Sequence, residues 1–170
     1  MSGAPILRLA NVESAYGPIK AIRGVSLQVR KGEISVLMGL SGSGKSTLLR
    51  AVNGLNKVVR GNIRVRGQGE ELIDVATCDE DSLRRLRRGG VAMVFQQFGL
   101  LPWRTVIDNV ALGLELAGVA EAERERKARE TFDIVNLGDW ANKRVSELSG
   151  GMQQRVGLAR AFATDAEILL

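Results

Sequence analysis

The chain has 170 residues, 45% of them apolar and 25% charged, with a net charge of +5. That balance suits a globular domain with its own core, and the charge is too mild and too evenly spread to argue for a nucleic acid partner. Cys78 is the only cysteine, which excludes a disulfide framework and fits a reducing compartment. No apolar run approaches the ~20 residues that span a bilayer. The N-terminus lacks the charged and apolar regions of a signal peptide, so any membrane link is expected to go through a partner.

Residues 6–12 and 25–29 read as strands. In the second, Val25, Leu27 and Val29 alternate with Ser26, Gln28 and Arg30, which buries one face. Lys31-Gly32 turns the chain into the apolar run Ile34-Ser35-Val36-Leu37-Met38, expected as a buried strand. Gly39-Leu40-Ser41-Gly42-Ser43-Gly44-Lys45-Ser46-Thr47 follows at once. A strand, a glycine-rich loop and a helix in this order make a phosphate-binding loop. Its backbone N–H groups cradle phosphates, and Gly39, Gly42 and Gly44 let the chain curl tightly around the anion. Lys45 brings a positive charge to the outer phosphates, Ser46 offers a hydroxyl to Mg²⁺, and the helix adds its positive dipole end.

Gly54 ends that helix. Ile63 and Val65 mark a further half-buried strand. Residues 81–88 read as helical, and their cluster Arg84, Arg85, Arg87 and Arg88 reads as a solvated face. Residues 91–95 read as another buried strand. Thr105 caps a helix running to about Ala117, with Asp108 three residues on as in a capping box. A second helix covers Glu121–Val135, with Glu123/Lys127 and Glu125/Arg129 one turn apart. Strands with helices, a helical insert and a return to α/β make an α/β domain carrying a helical subdomain.

Leu148-Ser149-Gly150-Gly151-Met152-Gln153 is a candidate second anion site, although taken alone such a capped helix with a Gly-Gly entry is more often purely structural. Ser149 is a good helix N-cap, and the two glycines leave N–H groups open at the positive helix end. Met152, Val156, Ala159 and Ala163 then recur on one face.

Taken together, these features resemble the nucleotide-binding subunit of ABC transporters over all 170 residues. Tyr16 sits where that family stacks an aromatic on adenine. Gln96, after Val94-Phe95, matches the glutamine that senses Mg²⁺ and the attacking water, with Gln97 as a competing candidate. Residues 148–153 resemble the LSGGQ signature, with Met152 at the usual glutamine position and Gln153 one place later. The resemblance implies a P-loop NTPase (RecA-like) core with an N-terminal antiparallel β-subdomain and a helical insert, incomplete at the C-terminus. It divides the chain into a core with β-subdomain over 1–98, a helical subdomain over 99–150, and the signature helix with the start of a further strand over 151–170.

It also implies ATP and Mg²⁺ as ligands, with Ser46 and Gln96 on the metal. A second copy or a paired ABC subunit is implied head to tail, so that each signature closes over the other's γ-phosphate. The remaining partners are a membrane permease, a periplasmic or extracellular substrate-binding protein acting indirectly, and no nucleic acid. The location implied is peripheral, on the cytoplasmic face of the inner membrane.

Residues 95–106, 74–79 and 109–118 look like importers of the quaternary-amine branch, which take up choline, glycine betaine or proline betaine. Gln97-Phe98 and Pro102-Trp103 are most like a choline transporter's ATPase. Trp103 is expected at the permease-contact region or in ordinary packing. Ala166-Glu167-Ile168-Leu169-Leu170 resembles the start of the strand that carries the family's Mg²⁺-binding aspartate. The aspartate, the adjoining catalytic glutamate and the switch histidine lie beyond residue 170 in that pattern. The expectation is therefore negligible hydrolysis by these 170 residues alone. The alternatives are an ABC-type module that binds ATP without hydrolysing it, and a soluble ABC protein without transport.

Overall fold

A computed structural model describes residues 5–67 and 72–170. The chain divides into two compact units, Met1–Gly90 and Val91–Leu170.

The first unit is built on an antiparallel sheet of β1 (Leu7–Tyr16), β2 (Ile19–Val29), β3 (Arg60–Arg66) and β4 (Leu72–Asp74), in the order β2-β1-β3-β4. Leu7 and Leu9 on β1 and Ile63 and Val65 on β3 bury the same face, in register Leu7 with Val65 and Leu9 with Ile63. β1 and β2 are longer than their apolar alternation suggests. Gly17-Pro18 folds them into a hairpin that stays paired up to Tyr16 and Ile19.

A bulge interrupts β1 at Asn11, whose φ is 49°. The Ser26 hydroxyl accepts from the Asn11 backbone N–H at 3.0 Å. On the other flank β3 passes so close that a Cβ on Gly61 would lie 2.3 Å from the Asn11 carbonyl oxygen and 2.4 Å from that of Ala10. Gly61 also has φ +84°. The bulge and the glycine therefore require each other.

Residues 34–38 correct the expected buried strand. They form no strand, and Ile34, Val36 and Met38 are 92%, 75% and 89% exposed. Apolar alternation records what a segment can bury, but burial needs a neighbour. No described strand pairs with this segment.

α1 (Lys45–Val52) buries Leu48, Ala51 and Val52, and Gly54 closes it at φ 65°. Asp79 caps α2 (Glu80–Arg85), accepting from the Ser82 N–H at 2.6 Å. A π turn, Leu86–Gly90, follows. Arg84 and Arg85 stay on the solvated face, where they meet Asp81 and Ser82. Arg87 departs from that expectation. Its guanidinium donates to the carbonyls of Asn53 at 3.0 Å and Gly54 at 2.8 Å, at the C-terminal end of α1.

In the second unit, β5 (Val91–Ala92) pairs in parallel with β6 (Ile168–Leu169). The strand expected over 91–95 is shortened because the chain turns at Phe95, whose carbonyl accepts from the Phe98 N–H. Three helices carry the core: α3 (Val106–Leu116), α4 (Glu121–Val135) and α5 (Gly150–Phe162). Val106 and Val110, Ala128 and Phe132, and Val156 and Ala159 interlock there almost without exposure. Thr105 caps α3 by accepting from the Asp108 N–H.

Asn109 is fully buried and satisfied. It accepts from the Leu101 N–H and donates to the carbonyls of Leu101 and Thr105, which pins the preceding loop to α3. On α4 the Glu125–Arg129 pair forms, but Glu123 pairs with Arg126 instead of Lys127. Lys127 reaches Asp165, 38 residues on. Trp103 is 67% exposed, whereas Trp140 packs against the helical core. Among the described residues no helix is long and apolar enough to cross a membrane.

Gly61→Ala is expected to destabilise the protein by about 2 kcal/mol or more, through strained φ and a backbone clash. Gly17→Ala, with open space around it, is expected to cost about half of that or less. Urea unfolding of the two variants measures the difference.

Candidate functional site

The first group of candidate residues lies in the first unit. α1 starts on Gly44, at φ 90°, and glycine has no side chain to cap the helix's first N–H groups. A Cβ at Gly44 would also stand 2.6 Å from the Ala21 carbonyl oxygen. Glycine is therefore demanded here by both conformation and space. A Cβ at Gly39 would meet the Ser43 hydroxyl at 2.8 Å. Lys45 folds back into the loop. Its ammonium donates to the carbonyls of Gly39 and Leu40, each at 2.7 Å, and to the Ser43 hydroxyl at 3.1 Å. A single cation thus gathers the loop around itself. Leu40, Ser41, Gly42, Ser43 and Ser46 are exposed, and Thr47 is half-buried.

Tyr16, at the end of β1, exposes 52% of its surface. Its hydroxyl accepts from the Asn56 amide at 2.7 Å, and the same amide donates to the Thr47 carbonyl at 3.3 Å. Asn56 therefore ties the aromatic to the first turn of α1. Nothing in the sequence pattern marks Asn56, because the tie depends on the hairpin's end meeting that turn.

A separate group of candidate residues lies in the second unit. Gln96 and Gln97 are both exposed, in the turn that follows β5. Phe98 and Gly99 come next, at φ 56° and 55°. Leu148 is buried and leads into α5. The Ser149 hydroxyl caps this helix by accepting from the Met152 N–H at 3.3 Å. Gly150 and Gly151 have no left-handed backbone, and a Cβ on either would meet nothing within 4 Å. Neither backbone conformation nor packing within the chain calls for glycine there. The pair leaves the entrance of α5 as bare backbone, open on its outer side.

Met152 packs against the helical core. The Gln153 amide turns back to donate to the carbonyls of Val145 and Leu148 at 3.3 and 3.2 Å. Gln153 thus steadies the entry to the signature from behind.

Among the described residues no three Asp, Glu, Cys or His side chains gather as a metal cage. The exposed Ser46 hydroxyl in the first unit, and separately the exposed Gln96 amide oxygen in the second, are neutral oxygens of the kind Mg²⁺ accepts.

The chain belongs to the ABC transporter family, whose model matches residues 22–170. It has the P-loop NTPase fold of an ABC ATPase domain. A bacterial ABC transporter cassette, MJ0796, solved as a dimer, superposes with a TM-score of 0.86 at 36% identity, covering 96% of this chain and 72% of that one. A post-hydrolysis state of MJ0796 bound to ADP and Pi gives 0.84 at the same identity and coverage. The methionine import ATP-binding protein MetN of Brucella abortus (strain 2308) is 44% identical over 169 residues, 99% of this chain and 44% of its own length. The glycine betaine/proline betaine transport ATP-binding protein ProV of Salmonella typhimurium is 48% identical over 149 residues, 88% of this chain and 36% of its own length. The chain spans less than half the length of these curated relatives.

Just before the signature, the Arg144 backbone N–H donates to the Glu147 carboxylate at 2.6 Å. This bond, helped by Lys143, holds the carboxyl below its ordinary value of 4.5. A depressed pKa means that the turn's closure is complete above the ordinary carboxylate value and is lost as pH falls through the lowered one. Side-chain NMR titration is expected to place Glu147 below 4.5. In Glu147→Gln, the protection of the Arg144 and Leu148 amides, measured relative to intrinsic exchange at each pH, is expected to lose its acid dependence.

Proposed function

We propose that this chain is the nucleotide-binding region of an importer's ATP-hydrolysing subunit, and that the importer carries a quaternary amine such as choline or glycine betaine. The observation that carries the nucleotide reading is a pair of helix entrances bearing glycines, at Gly44 and at Gly150-Gly151. The first has an uncapped N-terminus gathered around Lys45. The second has glycines that its own chain does not require.

In this reading, residues 39–47 hold the triphosphate through backbone N–H groups, and Lys45 transfers its donors from the loop carbonyls to the outer phosphates. Tyr16 presents its ring to adenine. Ser46 and Gln96 would hold Mg²⁺, which would neutralise charge on the phosphates. Gln96 also orients the attacking water. Ser149, Gly150 and Gly151 meet the γ-phosphate held by a second copy or a paired ABC subunit, so ATP joins the pair. Attachment to the cytoplasmic face of the membrane then runs through a permease, with a substrate-binding protein delivering the solute on the far side.

The quaternary-amine branch rests on residues 95–106 and 74–79 and on the likeness to ProV. A methionine importer is the second reading, favoured by the likeness to MetN over nearly the whole chain.

In the full-length protein, Lys45→Ala is expected to weaken ATP binding by about tenfold or more, the loss of a charge-assisted contact. Ser149→Arg is expected to leave ATP binding within about twofold and to block ATP-driven pairing, because the added bulk and length obstruct the close approach. Equilibrium nucleotide binding and sedimentation read the two effects. With the permease and binding protein reconstituted in vesicles, choline or glycine betaine is expected to stimulate hydrolysis. Stimulation by methionine instead overturns the quaternary-amine assignment.

A further inference from the structure

Gln96 stands in an exposed turn and needs something to hold it still. The two residues that follow the glutamine pair, Phe98 and Gly99, are both left-handed, at φ 56° and 55°. A non-glycine residue in that conformation persists only where its surroundings over-determine it. The determinant is on the signature helix. Arg160 of α5 donates through Nη2 to the Phe98 carbonyl at 2.5 Å and through Nη1 to the Gly99 carbonyl at 2.7 Å. A planar guanidinium fork thus grips two successive carbonyls that a left-handed pair turns to one side.

One turn earlier on the same helix, Gly157 is buried. A Cβ there would lie 3.7 Å from the Phe98 Cβ and 3.8 Å from Val94. The helix backbone therefore approaches the loop closely. Burial also lowers the Arg160 pKa from its ordinary value, in keeping with a guanidinium drawn in from water.

We infer that Arg160 is a positioning residue for Gln96, fixing the backbone that follows the glutamine so that the amide is delivered in one orientation. The inference rests on the ATPase reading for its consequence, but its geometry stands apart from that reading. The helix that opens on Ser149, Gly150 and Gly151 then also sets the glutamine loop three turns further along. A displacement of α5 reaches both groups together.

The test uses the full-length protein with Arg160→Lys, Arg160→Met, Gln96→Ala and the double variants. Hydrogen–deuterium exchange needs no catalysis. Residues 96–99 are expected to exchange about tenfold faster or more in Arg160→Lys, because one ammonium cannot reproduce a two-carbonyl fork, while α3 and α4 keep their protection. Unchanged exchange at 96–99, or loosening of all three helices alike, overturns the inference whether or not the protein hydrolyses ATP.

In the kinetic arm, Arg160→Met is expected to lower kcat about tenfold or more with ATP affinity within about twofold. Arg160→Lys is expected to restore part of the loss. In the Gln96→Ala background the Arg160 substitutions are expected to add nothing further. An equal loss in both backgrounds assigns Arg160 a role that does not run through Gln96 and overturns the proposal. Absence of hydrolysis in the unmodified protein contradicts the ATPase reading, and the exchange measurement then decides on Arg160.

Discussion

A helix begins with backbone N–H groups that have no partner within it, and each of the two candidate sites follows from how one helix leaves them open. At Lys45 the cap is a glycine at φ 90°, held against the Ala21 carbonyl, so no side chain turns back to fill the first turn. Lys45 brings a full positive charge to the same place. Backbone dipoles, open donors and an ammonium on one small curl all favour an anion. At Ser149 the arrangement is gentler. The cap hydroxyl satisfies the Met152 N–H, and the two glycines behind it expose backbone rather than side chain.

The elements around these helix ends are held by arginines reaching carbonyls rather than by ion pairs. Arg87 binds the carbonyls that close α1, Arg155 reaches those at the end of α4, and Arg160 binds those of the glutamine loop. A guanidinium presents several donors in a fixed plane, so it can join two carbonyls that no helix or sheet satisfies. Exposed pairs such as Glu125–Arg129 contribute little by comparison, because water and salt screen them. Asn109 and Asn56 serve the same end with amides, the first buried beneath the loop at residues 101–105, the second at the rim beside Tyr16.

Where sequence and structure part, the cause is a partner distant in the chain. Glu123 and Lys127 stand at the right spacing for a pair, yet Lys127 prefers Asp165 and Glu123 takes Arg126. The apolar run from Ile34 to Met38 has the composition of a buried strand but no strand beside it among the described residues. The hairpin outgrew its apolar stretches because strand pairing, once started at a tight turn, extends through polar residues such as Glu13 and Lys20. Arg160 had a faint signal. It lies four residues after the buried Val156, so a charge sits where the helix turns its apolar stripe inward.

The amino-acid sequence by itself determined the start of α1 at Lys45, the capped starts of α3 and α5, and the whole length of α4. Each depends on interactions among residues a few positions apart, and these are written in spacing. Only the tertiary structure decided what holds those pieces in position: Gly61 against the bulge at Asn11, Asn56 on Tyr16, and Arg160 on the carbonyls of Phe98 and Gly99. Such contacts join residues tens of positions apart. Short-range periodicity says nothing about which distant carbonyl a side chain will meet.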